Sequence, residues 1–235
     1  MIDLPANDMN WLTFKKEVFI VKDNEIHFFK IEVDIYFDLI KDTYVDILSD
    51  QEITKANRFL KIKDAECYIV TRHALRSILA HFVLVPPEEI QFHFSTYKKP
   101  KVDGIEFNIS HSGNFVIIAM SSAPIGIDIE FINQTFDFDP LMKTIFNEEE
   151  SSLINKKADK LLRSYIIWTR KEAVLKASGE GLTDDLTKLN VIESIISRCD
   201  TDFEVKSLLL DKNYIISLAT ELSDSTIHYW NFRQT

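Results

Sequence analysis

Two helix-length stretches, residues 64–84 and 159–177, each lie between groups of short alternating segments, and this order constrains the fold more than any other feature of the chain. In the first, Ile69, Leu75, Ile78, Leu79 and Phe82 form an apolar stripe, Arg72 and Arg76 share a face four residues apart, and Pro86-Pro87 ends the run. The second stops at Ser178-Gly179. Residues 11–37 ahead of them alternate as strands do, at 18–21 and 26–33. Residues 91–94 read as a short strand, and a β-meander follows at 105–110, 115–121 and 125–131, with turns at Ser112-Gly113-Asn114 and Ala123-Pro124. Strands are expected again at 191–192, 203–210, 214–219 and 227–232. Ser49-Asp50-Gln51-Glu52 has the form of a capping box opening a short helix with Lys55 and Arg58, and another short helix is expected near 147–153.

Tyr68-Ile69-Val70-Thr71-Arg72-His73-Ala74 in the first long helix is echoed by Tyr165-Ile166-Ile167-Trp168-Thr169-Arg170-Lys171 in the second. With the repeated order, the echo predicts an α+β protein made of two similar halves, 1–104 and 105–235, each an antiparallel sheet plus a long helix. One chain holding both halves is expected to work as a monomer.

The net charge of −10 argues against a general nucleic-acid binder, which needs cationic surface. Between Gln51 and Lys101, however, nine basic residues face five acidic ones, a local excess suited to a small polyanion as well as to solvated helix faces. No apolar run is long enough to span a bilayer. Met1-Ile2-Asp3-Leu4-Pro5 lacks the basic start and apolar stretch of a signal peptide. Cys67 and Cys199 have no metal-ligand spacing, so reduced thiols in a cytoplasmic protein are expected, with no membrane partner.

The chemistry concentrates in three places. In Gly126-Ile127-Asp128-Ile129-Glu130, strand alternation puts Asp128 and Glu130 on one face. A lone Asp-x-Glu pair is more often a solvated strand face; a third carboxylate turns it into a Mg²⁺ site. Glu172 can be that third ligand, with Lys176 one turn on and Trp168 one turn back on the same side of the helix. By itself, Glu172/Lys176 is an ordinary i,i+4 ion pair. His111, at a strand end in Asn108-Ile109-Ser110-His111-Ser112, is either a structural histidine or a donor to an anionic oxygen. His27, His73, His81, His93 and His228 have no ligand spacing.

Taken together with Lys99-Pro100, Phe107 before Asn108, and Lys171-Glu172-Ala173 followed by Lys176 and Gly179-x-Gly181-Leu182, these motifs resemble the 4′-phosphopantetheinyl transferases of the surfactin-synthetase-activating (Sfp) type. The match runs from about Lys55 to Leu182, and the Trp168…Lys171-Glu172-Ala173 form resembles the branch serving polyketide and peptide synthases. The resemblance implies a pseudo-dimeric fold with coenzyme A in the cleft between the halves. It implies transfer of phosphopantetheine to a serine of an acyl or peptidyl carrier protein, with release of 3′,5′-ADP, in antibiotic or lipid biosynthesis. It places Mg²⁺ on Asp128, Glu130 and Glu172, and Lys176 and His111 at the phosphates. Lys55, Lys99, Asn108 and Ser110 become coenzyme A contacts. Glu172 is the candidate base and Lys176 its rival. One departure stands out: Glu52 occupies the place of a second lysine near Lys55, leaving Arg58 or Arg72 to supply the missing charge. The carrier is expected to dock around Phe146 and the 179–182 loop. A non-catalytic coenzyme A or carrier-binding module and a metal-dependent phosphohydrolase are the competing readings.

Overall fold

The computed structural model describes residues 9–15, 22–95, 99–156, 159–181, 186–221 and 225–233. Its elements, in chain order, are β1 (Leu12–Thr13), β2 (Glu25–Glu32), α1 (Val33–Ile40), α2 (Asp50–Ala56), α3 (Ile62–Val83), β3 (His93–Phe94), β4 (Pro100–Lys101), β5 (Glu106–Ser112), β6 (Phe115–Ser121) and β7 (Ile125–Phe131). There follow α4 (Met142–Ile145), α5 (Glu148–Asn155), α6 (Lys160–Ser178), β8 (Ile195–Arg198), β9 (Thr201–Leu210), β10 (Tyr214–Thr220) and β11 (Thr226–Asn231).

Local sequence explains most boundaries. The capping box forms: Ser49 Oγ accepts from the Glu52 amide, and the Glu52 carboxylate accepts from the Ser49 amide. The same reciprocal pair, Asn147 with Glu150, opens α5. Helix α3 ends on Leu84 in the left-handed region, just ahead of Pro86-Pro87, and α6 ends on Gly179 at φ +75°. Hairpins β8–β9 and β9–β10 turn on Cys199-Asp200 and Asp211-Lys212, each a pair of positive-φ residues matched to strand twist.

The elements stack in four layers. Residues Ile69, Val70, Ala74, Leu75, Ile78 and Leu79 of α3 pack on Phe29, Ile31, Val116, Ile118 and Met120 of a first sheet, ordered β1-β11-β2-β6-β5. The opposite face of that sheet, with Ile26, Phe28, Ile117 and Ala119, meets Ile125, Ile127, Ile129, Ile216 and Leu218 of a second sheet, ordered β7-β10-β9-β8. Helix α6 covers the outer face of the second sheet through Ile166, Val174 and Ala177 against Ile215, Ala219 and Val205. Burying both faces of both sheets is what the near-continuous apolar runs of β2, β6, β7 and β10 require.

The sequence expectations need four corrections. The meander breaks after its second strand: β5 and β6 pair, but β7 leaves them and pairs with β10 in the second sheet. The strand begun at Ile26 stops at Glu32, because Val33 already opens α1. Residues 191–192 are not a strand; Val191 O accepts from Arg170 Nε rather than from a neighbouring strand. Strand β8 went unforeseen. The strand expected at 18–21, Tyr97, Lys98 and Leu182 lie outside the described residues. Strands beyond residue 104 also complete the first sheet: β5, β6 and β11 belong to it, and β11 runs parallel to β2.

His73 sits fully buried on α3, with Nδ1 3.1 Å from the Tyr36 hydroxyl and Nε2 unpartnered. Burial pushes its pKa down to about 4. Below the ordinary imidazole pKa of about 6.5 the unfolded chain takes up a proton that the folded chain refuses, so stability falls with pH until about pH 4. Replacing His73 with Gln should flatten the pH dependence of unfolding free energy between pH 6.5 and 4.5 by roughly 1.4 kcal/mol per pH unit, measured by urea denaturation. An unchanged slope would assign the acid sensitivity elsewhere.

Candidate functional site

The site forms where the edges of the two sheets meet. Strand β7 bonds to β10 along one edge; the other edge faces β5, which lies alongside without backbone pairing. Side chains of β5 satisfy it instead. Asn108 Oδ1 accepts from the Ile127 amide at 3.0 Å, Ser110 Oγ from the Ile129 amide at 3.2 Å, and Ser112 Oγ from the Phe131 amide at 3.0 Å. Two lysines take outward carbonyl groups: Lys99 Nζ donates to Ile125 O at 3.2 Å and Lys176 Nζ to Ile127 O at 3.1 Å. Asn108, Ser110 and Ser112 alternate along β5, so one face of one strand supplies the whole series.

The serines then turn to the carboxylates. Ser110 donates to Asp128 Oδ1 at 2.9 Å and Ser112 to Glu130 Oε2 at 3.0 Å. Trp168 lies beside Glu130 and favours its charged form. Ile127 and Ile129 point into the inter-sheet core, so Asp128 and Glu130 face α6, as strand alternation predicts.

Helix α6 is held unusually close. A Cβ on Gly126 would lie 2.0 Å from Ala173 O and 2.4 Å from the Ala177 amide nitrogen. This approach carries Glu172 and Lys176 to the β7 carboxylates. Lys176 Nζ sits 2.6 Å from Asp128 Oδ1 and 3.2 Å from Ser110 Oγ. Lys99 also donates to Lys176 O at 3.0 Å, tying the last turn of α6 to the edge of β7.

The electrostatics are those of three crowded carboxylates sharing one ammonium group. Burial pushes the Asp128 carboxyl above its usual range, although Lys176 and Ser110 oppose the shift. Burial and then Asp128 push Glu130 up, and the same two causes raise Glu172, with Glu130 adding to them. Asp128 Oδ2 is buried without a hydrogen-bond partner. Glu172 makes no hydrogen bond or ion pair among the described residues. His111 is exposed at the mouth of the cluster; surrounding protein and then Lys176 hold it below the usual imidazole range, with Asp128 and Asp64 acting the other way. Among the described residues no three acidic, imidazole or thiol groups converge closely enough to hold a metal ion as they stand. An orphaned carboxylate oxygen beside two further raised carboxyl groups is nevertheless the donor set a hard divalent cation takes.

Asp128, Glu130, Glu172, Lys176, Ser110 and His111 are thus brought together, with Asn108 and Lys99 beside them as ties between elements. Lys55 stands elsewhere. It lies 4.9 Å over the Tyr68 ring in a cavity of about 950 Å³ that Arg58, Arg72 and Phe92 also line. There Glu52 is buried and ion-paired to both Arg72 and Arg76. Nη1 of Arg76 donates to Pro87 O and Ile90 O, and both guanidinium groups lie over the Phe92 ring, Arg72 at 4.3 Å and Arg76 at 5.1 Å.

Sequence reasoning gave no role to Ser112, Trp168 or Gly126. The signal was present as a run of short polar side chains at 108, 110 and 112, matching in period the acids at 128 and 130. Lys171 of the Lys-Glu-Ala motif has a structural role: fully buried, it pairs with Glu150 Oε2 at 2.9 Å and donates to Leu186 O. Phe146 is buried beside Phe138 in the core under α6, which removes it as a docking surface.

Residues 124–219 match the profile of the 4′-phosphopantetheinyl transferase superfamily, and residues 41–123 that of the 4′-phosphopantetheinyl transferase N-terminal region. The chain is 32% identical over 192 residues to the 4′-phosphopantetheinyl transferase HetI of Nostoc sp., covering 78% of each chain. It is 37% identical over 128 residues to the 4′-phosphopantetheinyl transferase gsp of Aneurinibacillus migulanus, covering 53% of each. To the 4′-phosphopantetheinyl transferase Sfp of Bacillus subtilis it is 30% identical over 152 residues, 63% of this chain and 67% of that one. A solved holo-[acyl-carrier-protein] synthase of Thermotoga maritima aligns with 42% of this chain and 62% of its own at 17% identity and a TM-score of 0.33, too slight a likeness to carry weight.

Replacing Gly126 with Ala should drive α6 off β7 and separate Lys176 from Asp128. The expected cost is about 1–3 kcal/mol by denaturant unfolding. A variant as stable as the parent would refute the close approach.

Proposed function

The chain belongs to the 4′-phosphopantetheinyl transferase family, and from that premise we propose that it moves the 4′-phosphopantetheine group of coenzyme A to a serine hydroxyl of an apo acyl or peptidyl carrier protein, with Mg²⁺, releasing 3′,5′-ADP. The observation that carries this reading is the buried, unpartnered Oδ2 of Asp128, on a carboxylate that binds the Lys176 ammonium and adds to the raised proton affinity of Glu130 and Glu172. Asp128, Glu130 and Glu172 would hold the metal, which supplies charge neutralisation at the pyrophosphate.

The chain's own groups account for the rest. The serine oxygen forms a bond to the phosphorus that bears the pantetheine. The bond from that phosphorus to the bridging oxygen breaks, and its electron pair leaves with 3′,5′-ADP. Glu172 takes the serine proton: it has no competing hydrogen bond among the described residues, and burial and Asp128 raise its proton affinity. Lys176, already donating to Asp128, Ser110 and Ile127 O, serves better as a fixed positive charge than as a base. His111, exposed at the mouth, offers a ring N–H to a phosphate oxygen. Ser110 and Asn108 hold the β5 wall of the cleft.

The two halves divide the work in this proposal. The half spanning 1–104 binds the nucleotide end with Lys55, and Lys99 ties it to the site; the half spanning 105–235 carries the metal carboxylates. The buried Glu52 is neutralised by two arginines, so its departure from the lysine pattern leaves the Lys55 cavity cationic. A cytoplasmic monomer that binds neither nucleic acid nor membrane completes the reading. Among the described residues no helix is long and apolar enough to cross a membrane.

Intact mass of apo carrier proteins incubated with the chain, coenzyme A and Mg²⁺ tests the proposal. One phosphopantetheine should be added per carrier, and EDTA should abolish the gain. Coenzyme A cleavage without any carrier gain would mean hydrolysis instead. Glu172→Gln should reduce transfer by at least about 10²-fold, and near-normal turnover would remove Glu172 as the base. Asp128→Ala should lose transfer while coenzyme A binding only weakens; a retained Mg²⁺ response would take Asp128 out of the metal site.

A further inference from the structure

Between α2 and α3 the chain exposes apolar side chains that no packing explains. Leu60 is 102% exposed and Ile62 77%, and Phe59 is partly exposed while leaning on Tyr68 at 5.5 Å between ring centroids. Isolated exposed apolar residues are common, but three within four positions form a patch. Its surroundings are cationic. Lys55, Arg58 and Lys61 make no ion pair among the described residues, and no acid occurs from Ile53 to Lys63. Lys63 is the exception, paired to Asp34 at 2.7 Å. Unneutralised cations beside apolar side chains are unexpected in a chain of net charge −10, which otherwise repels an acidic partner.

The patch also has the right location. Ile62 opens α3, and Asp64 in the first turn lies within electrostatic reach of His111, at the mouth of the carboxylate cluster. On its other side, Arg58 and Tyr68 line the Lys55 cavity. A protein resting on Leu60 and Ile62 therefore stands beside the cleft in which its hydroxyl must react.

We propose that Phe59, Leu60 and Ile62, with Arg58 and Lys61 at their rim, form the docking surface for the carrier, recognised as an acidic protein that presents an apolar face beside its acceptor hydroxyl. This rests on the transferase reading and names where that reaction's second substrate binds. Apolar contact supplies affinity, and the cationic rim supplies steering and discrimination.

Because Leu60 and Ile62 are exposed, replacing them leaves the core untouched, which makes the test clean. In the double variant Leu60→Asp, Ile62→Asp, the KM for apo carrier should rise about tenfold or more, while the KM for coenzyme A and kcat at saturating carrier stay within about twofold. Lys61→Glu should lower kcat/KM for the carrier at low salt and lose most of that effect at about 0.5 M salt. An unchanged carrier KM in the double variant overturns the proposal, as does equal loss toward both substrates. Calorimetry of apo carrier binding reads the surface without turnover. Binding that depends on Leu60 and Ile62 in a chain that transfers nothing would support the surface and overturn the activity. Capture of anionic vesicles through the patch, with carrier KM unchanged, would assign it to a membrane and refute the carrier.

Discussion

The outer edge of β7 sets the terms for everything around it. Any strand presents amide and carbonyl groups that must be bonded when buried, and an unpaired buried amide costs about 1–3 kcal/mol. Here no strand closes the ladder. Asn108, Ser110 and Ser112 reach across from β5 to successive outward amides, and Lys99 and Lys176 take outward carbonyls. Side chains at alternate positions thus join two sheets edge to edge. Because they are polar and hydroxyl-bearing, the seam also binds the carboxylates: Ser110 and Ser112 each accept from a β7 amide and donate to an acid on the same strand. Structural and chemical roles fall on the same atoms.

Helix α6 is fixed with comparable care. Gly126 admits its backbone, and Thr169 hydrogen-bonds Ser217 on the neighbouring strand β10. On its far side Arg170 donates to Val191 O and Val205 O, and Lys171 pairs with Glu150. A buried ion pair is a weak source of net stability, but losing one partner leaves an uncompensated charge that costs about 3–5 kcal/mol. Lys171 and Glu150 therefore act as a register pin more than as glue. Adjacent residues of one helix divide the labour: Arg170 and Lys171 lock residues 186–193, while Glu172 turns the opposite way to the cleft.

Much of this was legible in the sequence, and the failures have physical reasons. The two long helices, the Ser49–Glu52 capping box and the facing of Asp128 and Glu130 follow from local periodicity and capping, which need no tertiary knowledge. The departure of β7 to a second sheet does not, since alternation is the same whichever strand lies beside it. Residues 191–192 read as a strand because apolar pairs look alike, whether a carbonyl such as that of Val191 meets a strand or an arginine. The site was recognisable because its acids lie on two elements at helical and strand spacing. The ties from Ser112 and Lys99 depend on which edges meet, and only the assembled sheets reveal that.

Amide hydrogen exchange at Ile127, Ile129 and Phe131 reads the seam most directly, comparing the parent chain with Ser110→Ala. All three amides should be protected in the parent; in the variant Ile129 should exchange much faster while Ile127 and Phe131, held by Asn108 and Ser112, keep most of their protection. Unchanged protection at Ile129 would contradict a seam made of side chains and would separate the joining of the sheets from the alignment of the carboxylates.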